Sequence, residues 1–257
     1  LRRLGASETA LTMRIALIGD YSSSKVAHCA IPVALEMEAE ARGLKISYEW
    51  LHTASLVPTE IPDRFDAGWA VPGSPYESFE NVLASIRVLR EQDLPFLGTC
   101  AGFQHALIEY AQHVLGHSEA GTTEVDPDCK LPVVSKLSCG LVDETDVVVP
   151  EPDGIYSQWC GPAERLETYR CSFGPNPDFE HLFAGSAFLV EARDRQGEVR
   201  AMALDGHLFF VGTAFQPERA AWNGERHPII SAFISAAACI ASETKHHGSG
   251  RVPSAGL

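Results

Sequence analysis

The segment Pro95-Phe96-Leu97-Gly98-Thr99-Cys100-Ala101-Gly102-Phe103-Gln104 holds the residues best placed to do chemistry. An apolar run enters, a cysteine follows between small residues, and a helical pattern leaves, with Phe103, Ala106, Leu107, Tyr110, Ala111 and Val114 on one stripe. Gly98 and Gly102 permit a tight turn that holds a nucleophile clear of a sheet. At a helix N-terminus, free N–H groups and the helix dipole favour a thiolate and can receive an oxyanion. The chemistry this would serve is attack of Cys100 on an acyl carbon. Taken alone, G-x-C-x-G fits a buried structural cysteine in a βα turn equally well.

The elements that must position this turn alternate in type. Ile15–Ile18, Ile46–Trp50, Ala67–Val71 and Pro95–Gly98 read as short buried strands, with helices over Val26–Ala41 and Ser78–Glu91 between them. This order predicts an α/β fold with a mainly parallel central sheet and helices on both faces. Further strand-like runs at Val133–Val134, Asp146–Val149, Phe188–Ala192, Val199–Leu204 and Leu208–Thr213 predict a partly antiparallel C-terminal region, closed by a helix over Pro228–Ile240. Residues 1–12 read as an N-terminal extension, 13–241 as the domain and 242–257 as a disordered tail. Met13 is a candidate natural start, and no apolar leader pattern follows Leu1.

Composition removes several functions. A formal net charge of −14 argues against nucleic acid or an anionic membrane as partner. The apolar runs are too short to span a bilayer. The seven cysteines form no C-x-x-C pair and no disulfide framework, so neither a metal nor a cofactor is expected. Mostly buried thiols in a reducing cytoplasm are the reading adopted. A G-x-x-x-x-G-K-[ST] phosphate loop is absent from the sequence.

The stretch Gly98–Gly116 resembles the nucleophile region of class I glutamine amidotransferases, and of the CTP synthase glutaminase domain in particular. Val71-Pro72-Gly73, Thr122-Thr123-Glu124, Asp128–Val134, Phe210–Glu218 and His227-Pro228 resemble that family in the same order. The resemblance implies the flavodoxin-like fold of the family and a small amino-acid-like substrate, glutamine or an analogue. It implies Cys100 as nucleophile, with Ala101, Gly73 and Ser74 forming the oxyanion hole. It further implies Gln104, Glu124 and Arg170 as substrate contacts, Glu124 for the ammonium and Arg170 for the carboxylate.

The family's His-Pro-Glu is Gln216-Pro217-Glu218 here. Glutamine takes no proton near neutral pH, so the residue that should serve as base and then acid is missing, while Glu218 stays in the position of the histidine's orienting acid. His117, His181 and His207 are the candidate substitutes. Ser74-Pro75 stands where the family has a glycine-rich run, which reshapes the oxyanion loop. An ATP-dependent synthetase region is not recognised in the sequence; synthesis of the family's kind would need a separate synthetase or acceptor protein, and no motif in the sequence points to one. Three functions fit: cysteine-dependent hydrolysis or acyl transfer on a γ-glutamyl-like compound, a non-catalytic amidotransferase-like binder, or a redox-sensing Cys100.

Overall fold

A computed structural model describes residues 11–247, so positions 1–10 of the expected extension and 248–257 of the expected tail lie outside the described residues. The N-terminal half repeats strand and helix: β1 (Thr12–Ile18), α1 (Val26–Arg42), β2 (Lys45–Leu51), α2 (Ile61–Arg64), β3 (Ala67–Ala70), α3 (Phe79–Glu91), β4 (Phe96–Thr99) and α4 (Ala101–His113). Then come β5 (Ala120–Thr122), β6 (Leu131–Pro150), α5 (Ile155–Cys160), β7 (Arg165–Pro175), β8 (Phe188–Arg193), β9 (Val199–Leu204), β10 (Phe210–Thr213) and α6 (Pro228–His247).

All ten strands join one sheet in the order β2-β1-β3-β4-β10-β9-β8-β6-β5, with β7 paired to β6. The first five run parallel, and β9, β8 and β6 continue antiparallel from β10. The sheet is thus mixed, with a parallel half that carries helices, as the alternating pattern predicts. Strands β3 and β4 are buried at every residue, which is why they read as continuous apolar runs. Two groups of helices cover them. On one side Arg42 of α1 donates to Ser235 Oγ (2.8 Å) and the Ser231 carbonyl (2.7 Å) of α6. On the other, Arg90 of α3 forms a two-point pair with the buried Glu109 of α4 at 2.7 and 2.9 Å.

Three boundaries differ from expectation. The two short strands expected at Val133–Val134 and Asp146–Val149 are parts of one 20-residue strand, β6, whose register against β7 shifts between Lys136 and Leu141. The polar sequence there obscures the strand because only its partner strand, not a core, lies beside it. Strand β7 was not foreseen: its inward residues are Glu167, Tyr169 and Cys171, while Leu166 points to solvent. Its alternation is therefore inverted at its first turn. Helix α6 continues past Ile240 through the first residues expected as tail, with Ser242 Oγ donating to the Cys239 carbonyl at 2.7 Å. Among the described residues no helix is long and apolar enough to cross a membrane.

Candidate active site

The turn after β4 is a strained point of the fold. Cys100 has φ +52°, a backbone conformation costly for a residue with a side chain. Neighbouring elements hold it there: its N–H donates to the Thr213 carbonyl of β10 (2.8 Å), and its own carbonyl receives the Gln104 N–H (3.1 Å). Trp69 Nε1 of β3 donates to Thr99 Oγ1 at 3.1 Å, pinning the residue before it. Gly102 cannot carry a side chain, since a Cβ there would collide with the Ala70 carbonyl oxygen. The glycine at this position lets α4 start directly against β3.

Helix α4 is buried from Ala101 to Ala111, and the side chains of Gln104, His105 and Glu109 within it are hydrogen-bonded. Gln104 Nε2 donates to the Phe173 carbonyl of β7 (2.6 Å). His105 Nδ1 meets the Ala101 carbonyl at 2.8 Å, and burial pushes this imidazole down to about 4, so it is neutral at ordinary pH. Its ring packs edge-on against Tyr76.

The carboxyl ends of β3, β4 and β10 lie side by side, and β7 crosses them. Between them is a cavity of about 300 Å³ lined by Gly73, Ser74, Cys100, Gln104, Glu124, Arg170, Cys171 and Gln216, with Lys25 at its mouth. This is the crevice at which open α/β sheets bind their ligands. Of the residues singled out from the sequence, Gly73, Ser74, Cys100, Gln104, Glu124, Arg170 and Gln216 therefore face one space, while Ala101, Glu218 and the three candidate histidines do not line it. Ala101 is the first residue of α4, behind Cys100.

Charges of both signs face the cavity. Burial raises the Glu124 carboxyl above its ordinary range, and the Ser74 hydroxyl, donating at 3.0 Å, draws it partly back. Arg170 pairs with Asp143 across the β6–β7 hairpin at 2.5 Å. Asp143 also takes Arg219 Nη1 (3.0 Å), which reaches Gln216 Oε1 at 3.4 Å. A chain of polar contacts thus runs along the rim from Arg170 to Gln216. Lys25, which the sequence did not single out, donates from Nζ to the Gly73 carbonyl at 2.9 Å. It sits just before α1, in a serine-rich loop that carries no pattern to mark it.

No histidine lines the cavity among the described residues. His207 lies between β9 and β10 near Asp93 (3.4 Å), and His181 is exposed beside the Asp178 carbonyl. His117 follows the end of α4, its N–H on the Ala111 carbonyl. None of the three substitutes proposed from the sequence reaches the site. Gln216 is buried, with its N–H on the Thr168 carbonyl at 2.9 Å. Behind it Glu218 is fully buried, and neither carboxyl oxygen has a hydrogen-bond partner. Burial pushes this carboxyl up to about 8, with Arg219 and its own backbone amide opposing only in part. It therefore holds its proton at neutral pH.

The cysteines correct the sequence reading. Cys100 is joined to Cys171 of β7 in a disulfide, 71 residues apart in sequence, with Cα atoms 6.4 Å apart. No local spacing announces the pair, because the laying of β7 across the β4 turn creates it. Cys29, Cys129, Cys160 and Cys239 are free.

The α/β fold with its mixed, largely parallel sheet is similar to that of class I glutamine amidotransferases. Residues 38–148 match the family described as glutamine amidotransferase class-I. The chain is 29% identical over 261 residues to CTP synthase of Acaryochloris marina (strain MBIC 11017), covering 93% of this chain and 46% of that protein. It is 28% identical over 239 residues to CTP synthase of Sulfolobus acidocaldarius, covering 88% and 45%. The chain thus spans about half the length of these curated relatives. In fold it is similar to the glutaminase domain of Trypanosoma brucei CTPS with bound acivicin, with TM-score 0.76 and 19% identity over 88% of this chain and 94% of that one. A glutamine amidotransferase from Thermotoga maritima matches with TM-score 0.55 and 12% identity, over 92% and 99%. Over residues 38–148 the chain is similar to class I glutamine amidotransferases, and its fold is similar to that of a CTP synthase glutaminase domain.

Proposed function

We propose that the cavity binds glutamine or a γ-glutamyl-like compound, and that Cys100, as a free thiolate, attacks the side-chain acyl carbon. The observation that carries this reading is the convergence of Cys100, Gln104, Glu124 and Arg170 on one cavity. Glu124 and Arg170 offer opposite charges for the ammonium and carboxylate of an α-amino acid. The Ala101 N–H and the Gly73–Ser74 loop are the oxyanion donors in this scheme. Gln104 acts through its bond to Phe173, which holds β7 over the nucleophile.

Gln216 decides which substrates react. With no acid in its place, ammonia departs slowly, since losing such a group costs roughly 10²–10⁴ in rate. A γ-glutamyl thioester, whose leaving group departs as an anion, needs no proton at that step. The preferred substrate is therefore an activated γ-glutamyl compound, and a separate synthetase or acceptor protein is the partner that would supply it or take the acyl group.

The test uses reduced protein with glutamine and with a γ-glutamyl thioester, comparing wild type, Cys100→Ala and Gln216→His. The reading expects thioester cleavage that disappears in Cys100→Ala, and ammonia release that rises in Gln216→His. Thioester cleavage unchanged by Cys100→Ala would overturn it. A non-catalytic binder is the second reading, favoured by the partnerless Glu218 behind Gln216. Glutamine binding without turnover of either compound would select it.

A further inference from the structure

From the placement of β7 we infer that Cys100 and Cys171 are a reversible oxidation site, closed by a hydroperoxide and opened by a dithiol, which takes the cavity's nucleophile in and out of service. The pairing itself does not depend on the γ-glutamyl reading; only its consequence for turnover does.

Geometry carries the inference. The Cα separation of 6.4 Å lies within the span a disulfide bridges. Both ends are fixed without the sulfurs: Cys100 by its N–H on Thr213, and β7 by the Gln216 N–H on Thr168 and the Gln104 side chain on Phe173. The two residues therefore stay opposed when the bond is open. Each sulfur also has an acceptor for its S–H in the reduced state, since Cys100 Sγ lies 3.4 Å from the Arg170 carbonyl and Cys171 Sγ 3.4 Å from the Ala214 carbonyl. Both line the cavity, which gives a small peroxide or thiol a way in. Cys100 precedes the first turn of the thirteen-residue α4, where the helix end favours its thiolate.

The chemistry balances in two steps. Cys100 thiolate attacks the distal peroxide oxygen, forming an S–O bond and breaking O–O; the alkoxide or hydroxide released takes a proton, and Cys100 becomes a sulfenic acid. Cys171 then attacks that sulfur as a thiolate, the S–S bond forms, and the S–O bond breaks. The leaving hydroxide departs as water with the proton Cys171 gave up. Two thiols have lost two electrons, and the hydroperoxide has become an alcohol, or water, plus water. A dithiol reverses this by exchange at the disulfide.

The test treats reduced full-length protein with hydrogen peroxide and then maps cysteines by iodoacetamide labelling and peptide mass spectrometry. The inference expects a peptide pair linked through Cys100 and Cys171, loss of two hydrogens, and iodoacetamide labelling of Cys100 falling to background and returning after dithiothreitol. In Cys171→Ser, and equally in Cys171→Ala should the serine variant fold poorly, Cys100 should gain two or three oxygens that dithiothreitol does not remove. Cys100 still labelling fully while exposed Cys239 is oxidised would overturn it. So would dithiothreitol-reversible protection of Cys100 that persists in both Cys171 variants. Neither readout uses a γ-glutamyl compound, so a chain that forms the pair but cleaves no thioester would reject the proposed function and leave the oxidation site standing.

Discussion

Glutamine at position 216 changes the meaning of its neighbour two residues on. A glutamate that orients a histidine is ionised and paired, whereas Glu218 is buried with neither oxygen hydrogen-bonded, and its carboxyl is pushed up to about 8. The sign of the pH effect follows. Below the ordinary carboxylate value of 4.5, folded and unfolded chains both hold this proton. Between there and about 8 only the folded chain does, so folding is progressively disfavoured as pH rises, by about 1.4 kcal/mol per tenfold change in proton concentration. Replacing Glu218 by Gln removes this term. Thermal melts at several pH values should show the variant gaining stability over wild type from pH 5 to 8, by on the order of a few kcal/mol at the upper end. An unchanged difference across that range would show that Glu218 is ionised throughout. That Gln216 stands where the resemblance implies a histidine is a reading of the sequence alone, resting on the order Gln216-Pro217-Glu218. The consequence for Glu218 was not legible there, since burial is a property of the packed chain. Lys25 and the partner of Cys100 were hidden for the same reason: neither has a local spacing that points to the cavity.

The elements that carry the nucleophile are those the apolar patterns made plainest. β4, the turn and α4 were readable because they are short-range: an apolar run, small residues, then a helical stripe. The glycine at 102 is where that segment meets β3, and the Ala70 carbonyl leaves no room for a methyl group. Gly102→Ala should therefore destabilise the protein by about 1–3 kcal/mol in urea unfolding. A neutral result would mean that α4 can shift away from β3. The pairing of α3 with α4 makes a second test. Glu109 is fully buried and answered by Arg90 at 2.7 Å, with His113 3.5 Å away. Removing the guanidinium in Arg90→Ala leaves a buried carboxylate with little compensation, and a loss of about 3–5 kcal/mol is expected. β7 was missed because period-two reasoning expects apolar residues inward. Here Glu167 faces inward, satisfied by His227 at 3.0 Å, while Leu166 faces out.

At the scale of the whole molecule, the parallel half positions the nucleophile and the β6–β7 arm supplies the far wall. Cys100 and Gly73 come from the first, and Arg170 and Cys171 from the second. The cavity is closed on one side by this arm lying over the carboxyl ends of β4 and β10, so a change that lifts the arm should open the cavity and separate the sulfur pair together.

The central claim is that Cys100 becomes an acyl carrier when its disulfide is opened. The most direct measurement is the intact mass of dithiothreitol-reduced protein mixed with a γ-glutamyl thioester and quenched in acid, with Cys100→Ala beside it. The account predicts one added glutamyl group, mapped to Cys100 and absent from the variant. A glutamyl group added to both chains alike, or to neither while Cys100 is shown to be a free thiol, would contradict it.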